Sequence, residues 1–203
     1  MQPNTDPKNL FSAIHMHAVG DLMNLMEGFY SNIEDGLFEL AFSSENKLQQ
    51  QHVVELMREL RFRRKHLLKT FGKRIQASGK CWLGHPADGV ESMEERIIAQ
   101  QMADKSNAHF THLLQSIAER TSNALNQPVE KHKLPVSPEA ISYHFVMSCR
   151  SVKIDKYSIE VVQNLFSRFV LDRLGSVYGS VNMQLADAGY NTGQDGLALS
   201  SSA

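Results

Sequence analysis

The chain has 203 residues, 42% hydrophobic and 21% charged, which suits one globular domain of ordinary size, or two small ones, with enough apolar material for a core, and excludes collagen-like, disordered and disulfide-scaffold classes. Lys and Arg number 21 against 22 Asp and Glu, so the net charge of −1 excludes recognition through global charge and leaves only local patches. Two cysteines, Cys81 and Cys149, make neither a disulfide framework nor a four-ligand zinc site; no basic-then-apolar leader opens the sequence, and no 18-residue uncharged apolar run interrupts it. The chain therefore reads as soluble and cytoplasmic, without a transmembrane segment.

Twelve Gly and six Pro cluster between long stretches of helix formers, which predicts an all-α fold. The expected architecture is an elongated bundle of about five helices, several of them long, in one domain over residues 1–190, followed by a disordered tail over 191–203. A first helix opens at Asp6-Pro7, an acceptor followed by proline at the first helical position, and runs to about Phe42, with Gly20, Gly28 and Gly36 as weak or bent points. The second starts after Ser43-Ser44 and ends near Gln76. A loop with Ser78, Gly79, Gly84, Pro86 and Gly89 follows. Ser92 with Glu95 forms a capping box opening a third helix that reaches about Asn126. Ser137-Pro138-Glu139 starts a short fourth helix to about Cys149, and a fifth runs from about Asp155 to Ala188.

The second helix carries the sharpest pattern. At 100° per residue, Val53, Leu56, Met57, Leu60, Leu67, Leu68, Phe71 and Ile75 share one apolar stripe. Arg64 falls near its middle, where a guanidinium needs a carboxylate, from Glu39, Glu94, Glu95 or Asp104, in a buried inter-helix ion pair; the alternative is an anion-binding ligand pocket. On the opposite face Arg58, Phe62, Lys65, Lys69 and Lys73 recur at spacings of 4, 3, 4 and 4. From Arg58 to Arg74 eight basic residues stand against Glu59 alone, a net +7 offset by −8 elsewhere. This row is the candidate partner-binding face, with Phe62 as apolar anchor. The competing reading is a solvated face whose charges pair with Glu27, Glu34, Asp35 and Glu39. A single basic helix without interleaved aromatics disfavours nucleic acid.

Catalytic and metal signatures are missing. His15 and His17 point some 160° apart on a helix. His109 and His112 share a face but lack the carboxylates of a di-metal bundle site, and Cys81 with His85 is half a zinc site. Trp82, the single tryptophan, reads as packing over the core edge. No G-x-S-x-G elbow, G-x-G-x-x-G fingerprint or P-loop occurs. No cofactor is expected and no enzyme is read. Gly175 and Gly179 form a G-x-x-x-G step, read as close helix packing, with a homodimer contact as the sharper alternative.

Particular segments carry a resemblance. Phe38-Glu39-Leu40-Ala41 with Asn46, Met57-Arg58-Glu59-Leu60-Arg61, Met93-Glu94-Glu95-Arg96 with Met102, Lys105, Asn107 and Phe110, and Leu165 to Val170 through Leu174-Gly175-Ser176-Val177-Tyr178 to Leu185 and Gly189 together resemble the bacterial family of domain of unknown function 1631, over roughly residues 20–190. The resemblance implies the N-terminal helical part of longer proteins, some ending in a region similar to cyclic-di-GMP-binding PilZ domains. No arginine here is followed by another four places on, so that signature does not carry over. A thymidine phosphorylase label used in the family fails for want of a phosphate loop and an α/β strand pattern. The functional expectation is a non-catalytic interaction module of a bacterial regulatory or scaffolding protein with a protein partner. The alternative is a sensor binding an anionic small molecule, a nucleotide or cyclic dinucleotide, between helices at Arg64.

Overall fold

The computed structural model describes residues 6–43, 46–85, 93–150 and 156–192, and within them the chain is all-α, without a strand. Seven α-helices are present: α1 (Pro7–Ser43), α2 (Lys47–Ala77), α3 (Met93–His109), α4 (Thr111–Leu125), α5 (Pro138–Cys149), α6 (Lys156–Phe169) and α7 (Gly175–Asp187). A 3-10 turn, Ser78–Leu83, extends α2. The expectation of about five helices is corrected upward because two of the expected helices are each divided.

Side chains set the helix starts. Asp6 accepts the backbone N–H of Lys8 at 3.0 Å, and Ser137 accepts that of Ala140 at 3.1 Å ahead of Pro138. The N-cap of α2 is Asn46, which accepts from Leu48 N–H at 2.9 Å, two residues later than the serines from which its start was read. Ser92 lies outside the described residues. The 37 residues of α1 run through Gly20, Gly28 and Gly36 as one helix, about 55 Å long at 1.5 Å per residue. Gly36 is buried at a close approach: a Cβ there would stand 3.0 Å from Leu165 Cδ2 of α6.

The two divisions redistribute contacts. At Phe110 (φ −101°, ψ 18°) the expected third helix turns, so that α3 packs mainly on α5 and α4 on α7. The Phe110 ring lodges edge-on against Tyr178 at 5.4 Å. At Val170 the last helix loosens into the 3-10 turn Leu171–Arg173; the Leu171 carbonyl accepts both the Leu174 N–H at 3.4 Å and the Ser106 hydroxyl at 2.7 Å, and Lys105 pairs with Asp172 at 2.8 Å. Packing on two neighbours thus outweighs the local preference of one long helix.

The core centres on α5, buried on nearly every face. Phe145 stacks on Phe166 of α6 (3.8 Å, 12°), and Phe29 of α1 meets both edge-on at 5.9 Å. Beyond α7 the chain stays docked: Asn123 donates to the Asn191 carbonyl at 2.8 Å and Thr192 is buried, so the expected tail does not begin at 191; residues 193–203 lie outside the described ones.

A second buried assembly closes the far end of α2. Trp82 stacks on Phe11 (5.4 Å, 16°), and its indole N–H donates to His15 Nδ1 at 3.2 Å. Since indole only donates, His15 carries its proton on Nε2 and donates it to the Ile75 carbonyl at 2.9 Å. The Ser78 hydroxyl donates to the same carbonyl at 2.7 Å. Gly79 lies against this ring: a Cβ there would stand 2.6 Å from His15 Cδ2. Because both ring nitrogens are held, Gly79→Ala is expected to destabilise by about 1–3 kcal/mol. Gly28→Ala meets nothing within 4 Å and should stabilise by about 0.5–1 kcal/mol, so thermal melts of the two variants move in opposite directions.

Candidate functional site

Six buried apolar residues, Val53, Leu56, Leu60, Leu67, Phe71 and Ile75, fix the rotation of α2 about its axis. They turn Arg58, Phe62, Lys65, Lys69 and Lys73 outward, onto a stripe about 80° wide and about 22 Å long. All five are exposed, and Phe62 retains 84% of its surface. Such a side chain covers nothing in its own fold.

The basic side chains from Arg58 to Arg74 divide into paired, inner and unpaired ones. Arg61 donates Nε and Nη2 to the two oxygens of Glu34 on α1, at 2.9 and 2.5 Å; that fork holds the Glu34 carboxyl below its usual range. Arg63 pairs with Glu59 one turn away. Arg64 and Arg74 are half-buried on the inner side. Arg58, Lys65, Lys69 and Lys73 have no carboxylate partner among the described residues. Of the four acids expected to neutralise the face, only Glu34 makes an ion pair, and it does so with Arg61 beside the row; Glu27, Asp35 and Glu39 are exposed and make no ion pair among the described residues.

Arg64 corrects one expectation. It is half-buried rather than buried, and its Nη2 reaches Ser31 Oγ at 3.4 Å with no carboxylate in ion-pair range among the described residues. The side chain is long enough to leave the apolar stripe beside α1, so its charge keeps contact with water. The carboxylates proposed for it are elsewhere: Glu39 and Glu94 are exposed, Glu95 pairs with Arg150 at 3.0 Å, and Asp104 accepts from Gln100 at 3.0 Å. Nearby Tyr30 and Cys149 are held protonated by burial, the thiol pushed up to about 12. Among the described residues no ion pair is built around Arg64.

Other sequence features are placed as follows. Gly175 lies under the Phe110 ring, 3.2 Å from Cε1 to a Cβ built there, whereas Gly179 faces open space. His109 and His112 are exposed, and among the described residues no three His, Cys, Asp or Glu side chains could hold a metal ion together. Trp82 is buried as expected, although its hydrogen bond to His15 was not legible. Cys81 and His85 line a cleft whose other walls come from α3, α5 and the segment before α5. Arg96, Lys133 and Tyr143 line it too, brought there from three separated segments. No helix among the described residues is long and apolar enough to cross a membrane.

Residues 89–189 match the family model described as Protein of unknown function (DUF1631) N-terminal domain. The match takes in the segments at Met93–Arg96 and Leu165–Leu185 and leaves out those at Phe38–Asn46 and Met57–Arg61, so the basic row of α2 lies before it. No match is found among the curated proteins or among the solved structures. On this stretch, about half its length, the chain belongs to the DUF1631 family.

Proposed function

We propose that the chain is a non-catalytic, all-α interaction module of a bacterial, cytoplasmic regulatory or scaffolding protein, holding an acidic protein partner along the outward row of α2. The observation that carries this reading is the combination of four cations without carboxylate partners among the described residues with a phenylalanine 84% exposed among them. The spacing favours a helical partner: steps of 4, 3 and 4 from Arg58 to Lys69 follow the seam of a two-helix contact, in which a second helix finds a neighbour at every turn. Phe62 supplies the desolvated anchor, while the flanking cations select a partner with acidic residues at matching turns. One aromatic on the row offers too little apolar area to seat a helix in a membrane, and no further aromatic is present for stacking on bases.

Replacing Lys65, Lys69 and Lys73 together by Glu tests the reading. These side chains are exposed, so helical circular dichroism should not change. Pull-downs should lose specifically those captured proteins that also dissociate from the wild-type chain when salt is raised from 50 to 500 mM, because screening shortens the reach of exposed charges. Retention of the same proteins by the triple variant removes this face from consideration. Salt-sensitive capture of nucleic acid alone replaces the protein partner by another class.

A further inference from the structure

An acidic counterpart to the α2 row stands on the chain itself. On α1, Glu27, Ser31, Asp35, Phe38 and Phe42 recur at steps of 4, 4, 3 and 4, so they line a stripe about 80° wide, and all five are exposed. Glu27 and Asp35 make no ion pair among the described residues, and the Phe38 and Phe42 rings lie 4.4 Å apart with 55% and 75% of their surface in water. Val54, 43% exposed, carries the α2 row one turn back from Arg58. Each helix of the hairpin thus shows an outward stripe of charges that ends, at the same end of the hairpin, in apolar residues. The two stripes have opposite sign.

Contacts between the two helices fix their register. Glu34 pairs with Arg61, Ser31 accepts from Arg64, and a Cβ on Gly72 would stand 3.2 Å from Met23 Sδ; in each case the two residue numbers total 95. Glu27 is therefore level with Leu68, Asp35 with Leu60 and Phe42 with Val53. A two-fold axis running along the hairpin lays α1 of one protomer on α2 of its partner at unchanged level. That sets Glu27 beside Lys65 and Lys69, Asp35 beside Arg58, and Phe42 beside Val54, while Phe62 falls over Ser31, the smallest side chain of the acidic stripe. The other arrangement, α2 on α2, sets cation against cation.

We propose that the α2 row receives the α1 stripe of a second copy of this chain, in a two-fold dimer, and that an acidic partner competes with that copy for the row. This rests on reading the row as a docking face. The matched stretch is about 22 Å long, short for a stable interface, and its charges are exposed, so the dimer is weak and gives way to a better-matched acidic helix.

Sedimentation equilibrium of the full chain tests this at concentrations up to about 200 µM, a range that populates dimers of micromolar strength. The wild type should show a monomer–dimer equilibrium that weakens as salt is raised. The triple variant Lys65→Glu, Lys69→Glu, Lys73→Glu and the double variant Glu27→Lys, Asp35→Lys should each associate about tenfold more weakly, with unchanged circular dichroism. Mixed together they should form a one-to-one heterodimer, because each then meets opposite charge along both helices. A wild type that stays monomeric throughout overturns the proposal, as does a dimer that survives either reversal or a mixture that does not associate. If the wild type is monomeric while the triple variant still loses its salt-sensitive captured proteins, the second copy alone falls and the docking face stands. A restored heterodimer, beside a triple variant that keeps those proteins, upholds the dimer and removes the other partner.

Discussion

Trp82→Ala is expected to destabilise the fold by about 3–5 kcal/mol, the range found when a large buried aromatic is removed. Its indole is 1% exposed, stacks on Phe11 of α1, and donates to His15, which in turn donates to the Ile75 carbonyl at the end of α2. Three chain segments therefore meet at one side chain. Truncation removes the stacking and leaves His15 Nδ1 without a donor, two losses that add because the site cannot collapse around a ring held from the far side by Gly79. Trp82→Phe separates them: it keeps most of the packing and should cost about 1–3 kcal/mol, chiefly the lost hydrogen bond. Urea unfolding followed by circular dichroism measures both, since the single tryptophan is the residue removed. A loss below about 1 kcal/mol for Trp82→Ala contradicts this account of how the 3-10 turn is held.

Mild acid is expected to be nearly as damaging. Burial, and behind it the Arg74 charge, pushes His144 from its ordinary 6.5 down to about 4. Burial also lowers His15, although its backbone hydrogen bonds pull in the opposite direction. Both rings are neutral in the fold and bind protons more readily once unfolded. Stability is therefore full above about pH 6.5 and falls as the pH drops toward 4, the unfolded chain taking up protons that the fold refuses. The His144 share is on the order of 3 kcal/mol across that window. Carboxylates with lowered values, such as Glu34 and Glu130, titrate below 4.5 and leave the interval from 4.5 to 6.5 to the histidines. Urea midpoints at pH 7.5, 6.5, 5.5 and 4.5 give the slope. His144→Phe should flatten it, and an unchanged slope in that variant contradicts the assignment.

Much of the fold was legible because it rests on local chemistry. Asp6-Pro7 and Ser137-Pro138 cap helices where they stand, and the apolar stripe of α2 is the face it buries. The divisions at Phe110 and Val170 were not legible, since neither carries a Gly or Pro; they arise because one helix must serve two neighbours, a tertiary demand with no local signature. Arg64 was misplaced for a related reason: periodicity fixes where a Cα points, not where a long side chain ends. The basic row was legible as a row, whereas the division of its charges required knowing that Glu34 alone reaches across to Arg61. The cleft was invisible in sequence because Arg96, Lys133 and Tyr143 are brought together from three separated segments.

The central claim, that the outward row of α2 holds an acidic protein partner, is tested most directly by placing a photo-crosslinking phenylalanine analogue at position 62 of the full chain. The account predicts a discrete adduct to an acidic protein, abolished when Lys65, Lys69 and Lys73 are changed to Glu and absent when the same probe is placed at Met183 on α7. Adducts that survive the charge reversal, or that form equally from position 183, would contradict it.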